Sequence, residues 1–232
     1  VVSSTATVLL TPYTDSACNV TTGAGTPSGH SLAAVAGTST FTAFSYTKAE
    51  TIYLKATTGV LTMACSTAVA VSPAADSVLV FTTQPSATAT AGTAYAQQPA
   101  VTVRDAYANT ATASTAAITL TAYTNSGCTT LATGTLGATT NPLTPTSGIA
   151  TFAGIYHTLA TTIYLKATSG ALTTACSTIT TISAGTANTV ALSGPAIASK
   201  ASCAAAYTIT STDTYGNISA VSANKVFNLA AT

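Results

Sequence analysis

Thr51-Ile52-Tyr53-Leu54-Lys55-Ala56-Thr57 returns residue for residue as Thr162-Ile163-Tyr164-Leu165-Lys166-Ala167-Thr168, an offset of 111. Each copy alternates apolar and polar side chains with the period of a β-strand buried on one face. Ile163, Leu165 and Ala167 are expected to point inward and Tyr164 and Lys166 outward, and the same pattern holds for Ile52, Leu54 and Ala56 against Tyr53 and Lys55. An identical strand 111 residues on means that a whole structural unit recurs.

Landmarks on either side carry the same period. Tyr13 matches Tyr123 and Cys18 matches Cys128 at an offset of 110, while Phe41 matches Phe152 and Cys65 matches Cys176 at 111. Val8 and Leu10 match Ile118 and Leu120, and Phe227 and Leu229 match the same pair. Phe81 to Pro85 lines up with Ala191 to Pro195, and Asp105-Ala-Tyr-Ala-Asn109 with Asp213-Thr-Tyr-Gly-Asn217 at an offset of 108. The expected division is residues 1–75 as the back of one repeat, 76–186 as a complete repeat and 187–232 as the front of a third. The first residue is not Met and no leader pattern follows it, so the start is expected to be internal to a longer polypeptide.

Within the complete repeat, alternation predicts strands at 78–81, 101–105, 118–122, 149–155, 163–167 and 177–182. Gly, Asn, Pro and Ser cluster between them, as turns require. A period near 110 residues with short strands suits a small antiparallel β-sandwich. The junctions at 72–76 and 183–188 are short, which predicts end-to-end repeats with little hinge freedom.

Composition narrows the function classes. Hydrophobic residues make up 47% of the 232 and charged residues only 5%, against roughly a quarter in ordinary globular proteins. The six Lys and Arg stand singly, so neither phosphate neutralisation nor a polybasic membrane anchor has a basis. Mean hydropathy is +0.46, yet Thr and Ser interrupt every apolar run before the ~18 residues that would span a bilayer as a helix.

Val80 to Pro85, Asp105 to Asn109 and Thr162 to Ala167 give a strand ending in Gln-Pro, an Asp-x-x-x-Asn turn and a Thr-x-x-Leu-x-Ala strand. In these features the chain resembles the bacterial immunoglobulin-like tandem repeats of large secreted or cell-surface adhesins. The resemblance implies an all-β fold of immunoglobulin-like sandwich repeats and a bacterial extracellular or cell-surface location. The chain departs from it in carrying cysteines, which many such repeats lack, and it has no Trp where antibody-type domains carry theirs.

Five residues are cysteine. Cys18 with Cys65, and Cys128 with Cys176, occur once per repeat at separations of 47 and 48, which reads as one disulfide in each; free buried thiols are the alternative. Cys203 is left over, with a partner beyond Thr232 or in another molecule. No second Cys or His lies at zinc-ligand spacing. Asp105 with Asn109, and Asp213 with Asn217, offer one carboxylate each, too few for calcium, and read as turns closed by side-chain oxygens. His30 and His157 do not match across the repeat and read as lone surface histidines without a triad. Glu50 has no counterpart to serve a Lys-to-Asn cross-link in both repeats, and paired carboxylates for glycoside chemistry are missing. No catalytic residue, metal or cofactor is therefore expected.

Tyr53, Lys55, Tyr164 and Lys166 form the candidate surface contact, a strand face that repetition would make multivalent. The expected function is a non-catalytic stalk or fibre-forming segment in cell adhesion, whose partners are neighbouring repeats of the same or an identical chain. The rival is a repeat-borne binding module for a glycan or for a protein on a host or prey surface.

Overall fold

The computed structural model describes residues 5–20, 22–59, 61–194 and 207–221. Among them every regular element is a β-strand, and no helix is long and apolar enough to cross a membrane. The pairings are antiparallel apart from Thr180–Ser183, which runs parallel to Thr88–Thr90, and one parallel bridge from Val78 to Thr173. Cys203, Phe227 and Leu229 lie outside the described residues.

The chain divides into two compact units, Val1–Ser77 with Arg104–Ala113, and Val78–Val103 with Ser114–Thr232. One sheet orders Ile149–Thr151, Ala100–Asp105 and Asp76–Thr83. Another orders Thr119–Tyr123, Thr162–Thr168, Thr180–Ser183 and Thr88–Thr90, with Ala175–Cys176 also on Thr162–Thr168. Each sheet buries an alternating apolar row, Leu79, Phe81, Val101 and Val103 in the first and Leu120, Ala122, Ile163, Leu165 and Ala167 in the second; in Ala100–Asp105 the other face, with Ala100 and Thr102, is buried as well. Phe152 and Ile155 fill the same core from the chain leaving Ile149–Thr151. Two sheets with one apolar face each are the arrangement of a β-sandwich.

The first unit repeats the second of these sheets. Thr7–Tyr13 pairs with Thr51–Thr57, Tyr13 opposite Tyr53 and Thr11 opposite Lys55, as Tyr123 stands opposite Tyr164 and Thr121 opposite Lys166. Ile52 is fully buried, but Leu10, Phe41 and Leu54 are only half-buried, whereas their counterparts Leu120, Phe152 and Leu165 are buried. The described residues of 5–75 contain no equivalent of the three-stranded sheet. Conversely, among the described residues Thr189–Ser193 pairs with Thr208–Thr212 alone, and Val190 and Leu192 are 50% and 52% exposed.

Three expectations need correction. The strand expected over 149–155 stops at Thr151; beyond it Ala153 O accepts from Thr139 N instead, and Gly154 turns left-handed at φ +64°. The strand expected over 177–182 begins only at Thr180, since the Ser177 hydroxyl instead accepts a hydrogen bond from Leu165 N at 2.8 Å. Phe81 does not correspond to Ala191. The Thr82 and Thr102 hydroxyls bond at 2.9 Å on one face, which puts Phe81 on the other face. Ala191 stands opposite Thr210, 108 residues after Thr102, and so belongs to the first of these faces.

Candidate functional site

The two Asp-x-x-x-Asn segments fold into the same turn, and each fastens to the chain that precedes it. Asp105 Oδ1 accepts bonds from Tyr107 N and Asn109 N, both at 2.9 Å. Its Oδ2 accepts from Asn109 Nδ2 and from Ala74 N, again at 2.9 Å. The carboxamide then reaches outward: Asn109 Nδ2 donates to Thr47 O at 2.8 Å, and Oδ1 accepts from Ala49 N at 2.9 Å. All of these residues belong to the first unit.

The second unit reproduces the set atom for atom. Asp213 accepts from Tyr215 N, Asn217 N, Asn217 Nδ2 and Gly185 N at 2.8 to 2.9 Å. Asn217 Nδ2 donates to Thr158 O at 2.9 Å, and its Oδ1 accepts from Ala160 N at 2.7 Å. Thr47, Ala49 and Ala74 become Thr158, Ala160 and Gly185, each 111 residues on. The turn requires a left-handed residue before the Asn. That position is Ala108 at φ +66° in one copy and Gly216 at φ +83° in the other.

Both Asp and Asn pairs are buried, so every polar atom needs a partner. Burial pushes the Asp213 carboxyl up, but the bonds from Asn217, Gly185 and Tyr215 outweigh it and hold it at about 2. At Asp105 burial is likewise overcome, by Asn109, Ala74 and Tyr107, and the carboxyl lies below its ordinary value. The oxygens are thus aimed at N–H donors. Beyond its own Asp, each carboxamide bonds peptide backbone, which is why spacing revealed the turn but not its dock.

Disulfides join Cys18 to Cys65 and Cys128 to Cys176. Cys18 and Cys128 sit left-handed, at φ +53° and +50°, in loops folded around Asp15 and Asn125. Asp15 accepts from Ala17 N and Asn19 N, and Asn125 from Thr129 N and Thr130 N. Two disulfides fit an oxidising, extracellular environment.

Tyr53, Lys55, Tyr164 and Lys166 are half-buried on their strands. Lys55 Nζ lies 5.2 Å from the centre of the Tyr13 ring and Lys166 Nζ 5.4 Å from that of Tyr123. The two lysines are engaged with aromatic faces. The signal for these partners was the Tyr13 to Tyr123 match.

His157 is not on the surface: it is 0% exposed, with Nδ1 against Leu159 N and O at 3.2 and 3.1 Å. Gly134 admits the ring, since a Cβ there would stand 2.9 Å from Cε1. The same place in the first copy holds Tyr46, whose hydroxyl donates to Glu50 and accepts from Gly25 N. Burial, then the Glu50 carboxylate, raises the Tyr46 hydroxyl above its usual value. Glu50 also accepts from Ala24 N, so its role is local. Among the described residues no group of three or more His, Cys, Asp or Glu could hold a metal ion.

Compared with known proteins, the chain matches no family model and no curated protein.

Proposed function

We propose that the chain is a non-catalytic structural segment of a tandem array of immunoglobulin-like repeats, working outside a bacterial cell as a stalk or as the body of an adhesive fibre. The observation that carries this reading is the duplicated junction: two turns 108 residues apart make the same side-chain bonds to backbone atoms 111 residues apart. A chain that invests its buried carboxylates in fastening each repeat to the one before is built for continuity. The disulfides support the extracellular part of the proposal, because such bonds persist in oxidising surroundings.

A second reading has its own observation. The Tyr–Tyr–Lys face recurs in both copies with the same register and the same cation over the ring, which suits a repeat-borne contact for a glycan or surface protein.

Antibody labelling of intact, unpermeabilised source cells tests the proposal. Label on the surface or on shed fibres is the expected result, and label that appears only after lysis overturns it. Tyr53→Ala with Tyr164→Ala separates the two readings: a stalk keeps cell attachment unchanged, whereas a repeat-borne binder loses it.

A further inference from the structure

We propose that the cavity beside the first junction turn binds the carboxylate of an acidic sugar. The cavity, about 480 Å³, is lined by Lys48, Pro73, Arg104, Asn109, Thr110 and Thr112 among others, all within the first unit. Two of the six cationic side chains of the whole protein meet there, and no Asp or Glu lines the wall. Two of the nearby acids are committed elsewhere: Asp105 is turned into its own turn, and Glu50 is held by Tyr46 and Ala24 N.

Arg104 supplies the more specific signal. Its Nε is buried and has no hydrogen-bond partner. Nε is itself closed to solvent, so a ligand in the cavity would meet the rest of the half-buried Arg104 head, which lines the wall. The planar guanidinium fork matches a carboxylate, and an ammonium adds an adaptable second charge. Both cations stand on fixed backbone. Lys48 lies between Thr47 and Ala49, the two residues gripped by the Asn109 carboxamide, and Arg104 is bridged to Thr110.

The remaining wall sets the ligand class. Thr110, Thr112 and Asn109 present neutral polar groups and Pro73 a small apolar surface, which suits a hydroxylated ring better than a lipid or a nucleotide. The volume falls in the range of small-molecule sites. The repeat fold does not demand this chemistry, because Leu159 and Thr212 occupy the corresponding places at the second junction.

Titration of the intact chain with sodium glucuronate, followed by backbone amide NMR, tests the site, with glucose and sodium sulfate as separate arms. Saturable shifts at Lys48, Arg104 and Thr110 are expected with glucuronate, weakening as sodium chloride is raised, and none with glucose. Lys48→Ala removes an exposed side chain; it should weaken glucuronate about tenfold at an unchanged melting temperature. Arg104→Gln should weaken it at least as much. Absence of saturable shifts, an equal response to glucose, sulfate binding as tightly as glucuronate, or a Lys48→Ala Arg104→Gln protein that binds like wild type would each overturn the proposal. The result is independent of where the chain resides, so failure here leaves the stalk reading standing, and the reverse.

Discussion

At the Asp213 carboxylate burial and hydrogen bonding oppose each other, and the N–H donors prevail. The folded value near 2 lies below the ordinary carboxylate value, so the group contributes stability that is complete above about pH 4 and is lost as pH falls through 2. Asp105 is shifted in the same direction, so its contribution is likewise lost on acidification. Melting temperatures recorded from pH 5 down to about 2 should therefore fall more steeply in wild type than in Asp213→Ala, which is already destabilised at neutral pH. Equal slopes would show that the turn does not titrate as described. Tyr95 is the opposite case. Burial raises its hydroxyl, and that hydroxyl has no hydrogen-bond partner. Tyr95→Phe removes an unpaired group without changing the packing, and urea unfolding should show no loss or a gain of about 1 kcal/mol.

Among the elements, the strands carrying an unbroken alternation were legible in the sequence. Thr162–Thr168 has its expected inner row fully buried, because Ile, Leu and Ala at every second position leave a pleated strand one way to lie. The shorter elements were not legible. Thr88–Thr90 is a strand only because Thr180–Ser183 runs beside it in parallel, a long-range pairing that no local pattern encodes. On the edge of Thr119–Tyr123, between the Ile118–Leu143 bridge and the bond from Ala132 N to Ala122 O, a carboxamide serves Leu120: Leu120 N donates to Asn141 Oδ1 at 2.9 Å and Asn141 Nδ2 donates to Leu120 O at 2.8 Å. Asn141→Ala should cost about 1 to 3 kcal/mol in denaturant unfolding, through two backbone groups left unpaired. The disulfide across this unit closes a span of 48 residues, and the Cys128→Ser Cys176→Ser protein should lose at most about 4 kcal/mol. Non-reducing peptide mapping should recover the Cys18–Cys65 and Cys128–Cys176 peptides intact.

For the molecule as a whole, the period was plain in the sequence, while the means by which successive copies are fastened was not. Asp-x-x-x-Asn announced a turn; that Asn109 and Asn217 would also reach Thr47 O and Thr158 O lay in tertiary structure alone. Asn109→Ala and Asn217→Ala each leave a half-buried carbonyl and amide without that partner, and each should cost about 1 to 2 kcal/mol. The two sets share no residue, so the double variant should show the sum within about 0.5 kcal/mol, measured by urea unfolding. A large departure from the sum would mean that the copies communicate by some route other than these bonds.

The atoms that receive each turn are Thr47 O, Ala49 N and Ala74 N in one copy and Thr158 O, Ala160 N and Gly185 N in the other, all of them main chain. Any non-proline residue offers the same groups. A gene for such a chain can therefore gain or drop a unit by unequal recombination, or let its side chains drift, without the new neighbours having to co-evolve, since what must be inherited is one aspartate and one asparagine at a fixed interval.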